Sequence, residues 1–300
     1  MHLAVDGSNR VFSNPLGGGV ASFGWIDINL LDKTGDQRAA QGWCRLYFDS
    51  DGDGRANRDT PVPGGPYSVI QSPTDGSLWG AVTSTPGHIV RLHLGNSPPD
   101  TCVGEMYEVP FDPFPSKTPG AKSGFLPRGI DVDGEGVVWT GLAGSGHLAS
   151  FDRRKCKVLT GEAATTGRHC EEGWTLYPTG GPKMQGVTAD LNADFHYYSF
   201  VDQHDALGMG RDTPLMNGTN SDSLIALDKR TGKLITLRVP YPLGFHQRGL
   251  DGRIDDPRTG WKGRGLWSSN GTRAIWHGET GMGTRGHIAH FQLRPNPLAK

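Results

Sequence analysis

Residues 125–156 read FLPRGIDVDGEGVVWTGLAGSGHLASFDRRKC. Three short runs stand out: Arg128 to Val132, Val137 to Leu142 with Trp139 inside it, and His147 to Phe151. Asp133-Gly134-Glu135-Gly136 and Gly144-Ser145-Gly146 separate them. Glycine accepts a positive φ without a Cβ clash, so both links read as tight turns. Two-residue alternation between such turns predicts a half-buried antiparallel meander.

The unit recurs along the chain. Residues 66–94 repeat a turn before Trp79 and then Gly87-His88 opening a third run. Residues 264–293 carry Trp267 and Gly286-His287 in the same places. Residues 186–228 give GVTADLNADFHYYSF, a long insert and SDSLIALD; residues 2–32 give HLAVDGSNRVFSN, an insert and WIDINLLD. Repetition at this length indicates a repeat architecture. Units of four strands with a Trp and paired turns point to blades of a β-propeller. The predicted fold is all-β: one β-propeller domain over 1–300, with five blade repeats at about 1–49, 62–112, 125–178, 183–240 and 247–293.

Each blade should close with an outer fourth strand. Cys44–Asp49, Met106–Phe111, Trp174–Pro178 and Leu234–Pro240 fit that place after repeats one to four. No such run follows the fifth repeat. An open sheet edge invites pairing, so further N-terminal sequence or an oligomer is expected to cover it. Trp79, Trp139 and Trp267 are predicted core residues. His88, His147 and His287 recur at one blade position and are predicted to bond a neighbouring backbone.

Gly 45 and Pro 21 in 300 residues fall mostly between the strand-like runs, and eight Trp remain for a core. That composition suits a turn-dense β protein. A net charge of −1 without a basic stripe speaks against nucleic acid. No apolar run approaches the roughly 20 residues of a membrane span. The expected partner is therefore a small molecule or a glycan.

Cys44, Cys102, Cys156 and Cys170 include no CxxC, so zinc spacing is absent. An even count in a turn-rich chain predicts two disulfides and an extracellular or periplasmic location. Cys156 and Cys170, flanking one short loop, are the expected pair. No basic and apolar leader precedes strand-like His2-Leu3-Ala4-Val5. The expectation is a leader removed, or the C-terminal part of a longer chain.

Residues 49–60, DSDGDGRANRDT, form the sharpest local motif. Asp49, Asp51 and Asp53 alternate, Gly54 permits a sharp turn, Arg55 offers its carbonyl, and Asn57 and Asp59 follow. Such spacing matches calcium loops, and hard oxygen donors favour Ca²⁺. Thr60 stands where an EF-hand needs Glu, so the loop is expected to be the shorter type closed by Asp59.

In an up-and-down blade, first-strand starts and second-to-third links share one face, and first strands line the central channel. His2, Tyr67, Arg128, Gln185 and Arg248 align at those starts. Two long inserts, 200–222 and Ser268–Arg285, are assigned to the same face, as is the Asp loop. Long loops in a compact domain are often functional. Tyr67, Arg128, Gln185 and Arg248 are the candidate substrate-binding residues, and His204, His246, His277 and Glu279 the candidate acid/base or metal residues, at the channel mouth. The alternative for Arg128 and Arg248 is a structural bridge to Asp131 and Asp251.

Pro127-Arg128-Gly129-Ile130, Asp133-Gly134, Val138-Trp139 and Pro73-Thr74-Asp75-Gly76-Ser77-Leu78-Trp79 resemble blade motifs of the streptogramin B lyase (virginiamycin B lyase) family of β-propellers. The resemblance implies a propeller and a lyase using Mg²⁺, His and Glu at the channel mouth to open a cyclic depsipeptide. Arg128 and Arg248 stand where a P-H-G variant would carry His. The functional expectation is a secreted calcium-binding propeller acting as a lyase or hydrolase on a polar or anionic substrate, with a second divalent cation. The alternative is a non-catalytic ligand- or carbohydrate-binding propeller or scaffold module.

Overall fold

In the computed structural model, residues 3–15, 19–114, 122–183, 185, 191–240, 244–253, 258, 260, 264–270 and 287–293 are described. Five antiparallel sheets stand in a ring, a five-bladed β-propeller. Sheet one is β1 (Leu3–Val5), β2 (Arg10–Ser13), β3 (Ser22–Asp27) and β4 (Gln41–Arg45). Sheet two is β5 (Ile70–Gln71), β6 (Leu78–Val82), β7 (His88–His93) and β8 (Val103–Glu108). Sheet three is β9 (Pro127–Val132), β10 (Val138–Leu142), β11 (His147–Phe151) and β12 (Trp174–Pro178). Sheet four is β13 (Ser199–Asp202), β14 (Thr213–Gly218), β15 (Ser223–Asp228) and β16 (Lys233–Arg238). Sheet five is β17 (Gln247–Arg253), β18 (Gly265–Asn270) and β19 (His287–Phe291), with no fourth strand among the described residues.

Strand alternation explains the packing. Successive side chains point to opposite faces of a sheet. In β6 and β7, Leu78, Val90 and Leu92 join the core with sheet one, whereas Trp79 and Ile89 join the core with sheet three. In β10, Val138 and Leu142 face sheet two and Trp139 faces sheet four. In β15, Ile225 and Leu227 face sheet three, and Leu224 and Ala226 face sheet five. An inner blade is thus buried on both faces, and all five residues of β6, β10 and β11 are buried. Trp267 corrects the core expectation: it is 40 % exposed and stacks on His290 at 4.3 Å. Its neighbour Leu266 joins the core with sheet four, so alternation points Trp267 to the other face of the last sheet.

Several runs fold differently from the sequence expectation. WIDINLLD splits: β3 ends at Asp27, whose carboxylate accepts the Leu30 N–H at 2.8 Å and caps α1 (Ile28–Thr34). An Asp before a run of helix formers is an N-cap signal that two-residue counting overlooks. The first outer strand is Gln41–Arg45 rather than Cys44–Asp49, because the chain leaves sheet one after Arg45. Tyr47 then bridges Pro61, and Phe48 lies parallel to Gly104 beside β8. Trp174–Pro178 falls where expected. His88 bonds the Pro63 carbonyl through Nε2 at 3.0 Å, as a structural histidine should.

Both disulfides form, Cys44–Cys102 and the expected Cys156–Cys170. They fit an extracellular or periplasmic protein. No helix among the described residues is long and apolar enough to cross a membrane.

Candidate functional site

Polar contacts between blades set the first-strand starts side by side. Asn14 Nδ2 donates to the Pro66 and Tyr67 carbonyls at 2.6 and 3.0 Å. Ser68 Oγ donates to the Arg128 carbonyl at 2.9 Å. Gly129 lets sheet four approach: a Cβ there would stand 2.3 Å from the Ser199 backbone nitrogen. The starts of β5, β9 and β13 are locked together by these contacts.

Arg128 occupies the resulting junction. Its guanidinium carbon lies 4.3 Å from the Tyr67 ring centre, 4.4 Å from that of Tyr197 and 5.7 Å from that of Phe195. The Tyr67 and Tyr197 hydroxyls are 2.6 Å apart, and their rings meet edge to face at 89°. His246 completes the group, with its ring centre 4.8 Å from Tyr197 and stacked at 14° on Phe195, 6.5 Å away. Aromatic faces hold a cation through their quadrupoles. No carboxylate among the described residues pairs with Arg128, and its Nε is buried without a hydrogen-bond partner there. Guanidinium cannot neutralise itself by losing a proton. The site therefore holds a fixed positive fork suited to carboxylate, phosphate or carbonyl oxygens.

Tyr67 and the nearby Tyr198 stay neutral. Burial raises the Tyr67 phenol, the hydrogen bond with Tyr197 adds to this, and Arg128 only partly opposes it. Burial pushes Tyr198 up to about 12, aided by the nearby Asp131 carboxyl. Both remain protonated donors at neutral pH.

The structural bridge from Arg128 to Asp131 does not form. Asp131 instead accepts the Val132 and Val201 N–H groups at 2.8 and 2.7 Å. Burial raises this carboxyl to about 7 against those two bonds. Asp251 is exposed and accepts the N–H of Gly252 at 2.8 Å.

Of the residues expected at the channel mouth, Tyr67, Arg128 and His246 come together. His246 is buried; its backbone N–H donates to Asn270 Oδ1 at 2.7 Å, and its ring Nδ1 lies 3.4 Å from Thr219 Oγ1. Arg248 lies in β17, but its side chain is outside the described residues. His2, His277 and Glu279 also lie outside them. Gln185 is exposed in a turn and is not at the start of a strand. The first strand of blade four begins at Ser199, so Tyr197, not Gln185, takes that place. The preceding segment satisfies itself through side chains: Asn192 Nδ2 donates to the Gly146 and Thr179 carbonyls at 3.1 and 3.0 Å. Asp194 Oδ2 accepts the Ser221 hydroxyl at 2.6 Å.

His204 is corrected for the same reason. It is exposed in the 203–212 link, which joins the first and second strands of blade four. That link abuts the Asp133–Gly136 turn: Gly134 N–H donates to Asp212 at 2.9 Å, and Gln203 Nε2 donates to the Val132 carbonyl at 3.0 Å. It lies at the end of β9 away from Arg128. Phe195 and Tyr197 were missed, although the run FHYYSF held the signal: aromatic residues just before a strand that abuts a glycine.

The Asp loop is compact. Ligand oxygens of Asp49, Asp51 and Asp53 all lie within 4.8 Å of one another. Asp49, buried, accepts the Gly52 and Gly54 N–H groups at 2.8 and 3.1 Å. Gly54 has φ 85°, the left-handed turn that its place in the motif calls for. Asn57 accepts the Asp59 N–H at 3.0 Å and Asp53 that of Arg55 at 2.8 Å. No basic side chain among the described residues pairs with these carboxylates. The loop sits on the outer rim and not at the channel mouth, because Phe48 runs along β8 and the Asp49 carbonyl accepts the Gly161 N–H at 2.8 Å.

The fold and this geometry define the class as a five-bladed β-propeller with an arginine–aromatic junction where the starts of its first strands meet. A similar solved fold is the selenomethionine-substituted virginiamycin B lyase of Staphylococcus aureus, 11 % identical at TM-score 0.50 over 99 % of this chain and 70 % of that one. Another is a putative 6-phosphogluconolactonase from Bacteroides uniformis, 11 % identical at TM-score 0.51 over 99 % and 68 %. These likenesses bear out the lyase-like resemblance at the level of the fold. No protein-family model and no curated protein matches the chain.

Proposed function

We propose that this propeller is a lyase or hydrolase that binds an anionic or carbonyl-bearing substrate on Arg128 at the channel mouth. The observation that carries this is an arginine sandwiched between two tyrosines with no carboxylate partner among the described residues. Arg128 would take the substrate oxygens bidentately, and the hydrogen-bonded Tyr67–Tyr197 hydroxyl pair would offer one phenol donor beside it. His246, in contact with Tyr197, would move the proton. Arg248, His277, Glu279 and a second divalent cation belong to the same proposal from the sequence. The test is a substrate screen of lactones, esters and acidic sugars with and without divalent cations. Turnover that disappears in Arg128→Ala and in His246→Ala, with both variants folded, supports it. Binding without turnover, abolished by Arg128→Ala, favours the non-catalytic ligand-binding propeller, which the same unpaired arginine also supports.

The Asp loop is proposed to hold Ca²⁺ in a structural role, with Asp49, Asp51, Asp53, Asn57, Asp59 and the Arg55 carbonyl as the donor set. Three carboxylates within reach of one another fit a hard cation. Ligand linkage then gives a stabilisation of about 3 kcal/mol at a hundredfold excess over Kd. Thermal melts should shift upward with Ca²⁺ and downward in chelator, and Asp51→Asn with Asp53→Asn should remove the difference. Identical melts in both buffers would refute the calcium assignment. Secretion is part of the same proposal, carried by the disulfides.

A further inference from the structure

A second cleft lies on the rim of blade one, away from the channel mouth. It begins with a local alternation, Trp43-Cys44-Arg45-Leu46-Tyr47. Cys44 and Leu46 point into the core, so Trp43, Arg45 and Tyr47 face outward together. Trp43 pairs across the ladder with Gly24. A Cβ on Gly24 would stand 3.0 Å from each of Cη2, Cζ2 and Cζ3 of Trp43. Three ring carbons at one distance mean that the indole lies flat over the glycine. Its other face is open, and the residue is 54 % exposed.

A cleft of about 300 Å³ is lined by Trp43, Arg45, Tyr47, Ala56, Arg58 and Asp100, at the lower end of small-molecule sites. The segment carrying Asp100 is tied to β4 by the Cys44–Cys102 disulfide. Arg58 returns from the Asp loop. The side chains of Arg45, Arg58 and Asp100 have no hydrogen-bond or ion-pair partner among the described residues. Covering a glycine explains where the indole lies. It does not explain three unpaired charged groups around the exposed ring.

We propose that this rim cleft binds an acidic sugar, a uronate ring within an oligosaccharide. The electron-rich indole face receives the weakly positive C–H groups of a pyranose. Arg45 and Arg58 take the carboxylate, and Asp100 accepts sugar hydroxyls, for which two positive charges against one negative give the right balance. The lining is too polar for a lipid surface. The cleft is independent of the channel mouth and of any turnover there.

Isothermal titration with trigalacturonate in calcium buffer tests this. Wild type should bind, Trp43→Ala should weaken binding about tenfold, and Arg45→Gln with Arg58→Gln should weaken it at least as much. Maltotriose, which lacks the carboxylate, should bind about tenfold more weakly. With Arg128 already replaced by Ala, adding Trp43→Ala should still weaken trigalacturonate binding about tenfold, which separates this cleft from the channel mouth. If Trp43→Ala does not fold, the double arginine variant carries the test. Absence of binding, unchanged affinity in the folded variants, equal affinity for maltotriose, or binding of uridine monophosphate in place of the sugar would each overturn the proposal.

Discussion

Two arginine–aromatic clusters sit one blade apart and are built differently. At the rim of blades two and three, Arg91 faces Trp79 and bonds Asp75 and Glu105 at 2.8 and 2.5 Å. Arg153 reaches the same Glu105 at 2.6 Å, and the Tyr107 hydroxyl donates to it. At the first-strand starts, Arg128 meets aromatic residues and no carboxylate among the described residues, and Asp131 nearby bonds to backbone instead. The first cluster is electrically closed and the second is open. The same residue types thus give a structural bracket where carboxylates converge and an arginine without a carboxylate partner where they do not.

The comparison breaks most easily at Glu105. Glu105→Gln should leave Arg153 without a carboxylate and Arg91 with Asp75 alone in a largely buried place, and cost about 3–5 kcal/mol, read by urea denaturation. A loss under about 1 kcal/mol would mean that the closed cluster is ornamental. Next in size is the loop that backs this cluster. Replacing Cys156 and Cys170 by Ser removes a cross-link of sequence separation 14, worth about 3 kcal/mol in the same assay. Free thiols at both positions by mass spectrometry of the wild type would contradict the structure.

The carboxyls inside the closed cluster and the backbone-bonded Asp131 near the open one should respond to pH with opposite signs. Burial raises Asp75 and Glu105, but bonds from Ser77 and Arg91 to the first, and from Arg153 and Arg91 to the second, outweigh it and hold both below the ordinary carboxylate value. Their stabilisation is present above that value, about 4, and is lost as pH falls through the lowered one. Asp131 is raised to about 7, so its contribution is present below pH ~4 and is lost as pH rises through about 7. In that window Asp131 alone adds a downward slope of up to about 1.4 kcal/mol per pH unit, which Asp131→Asn should flatten. An unchanged slope in Asp131→Asn would remove this half of the contrast. The smallest stability effect belongs to Arg128→Ala, which should shift unfolding by no more than about 1 kcal/mol while abolishing ligand binding. If it melts like Glu105→Gln, Arg128 is a bracket too and the distinction fails.

Alternation, turn glycines and cysteine spacing are local properties, and they carried the propeller, the repeat count, Cys156–Cys170 and the Asp loop. Each depends on neighbours within about a dozen residues, which a chain displays without folding. Arg128, Tyr67 and His246 were legible because strand starts repeat. What the chain could not display was which first strand blade four uses. Gln185 and Tyr197 precede equally plausible runs, and only the Asn192 and Asp194 side-chain network and the close approach of Ser199 to Gly129 decide between them. The same choice sends His204 to the opposite face. Whether an arginine meets a carboxylate or a tyrosine ring is likewise set across blades, by residues some 60–70 positions apart such as Tyr67, Arg128 and Tyr197. Local physics therefore fixed the strands and turns, and the packing of one sheet against the next decided which arginine was left without a carboxylate among the described residues.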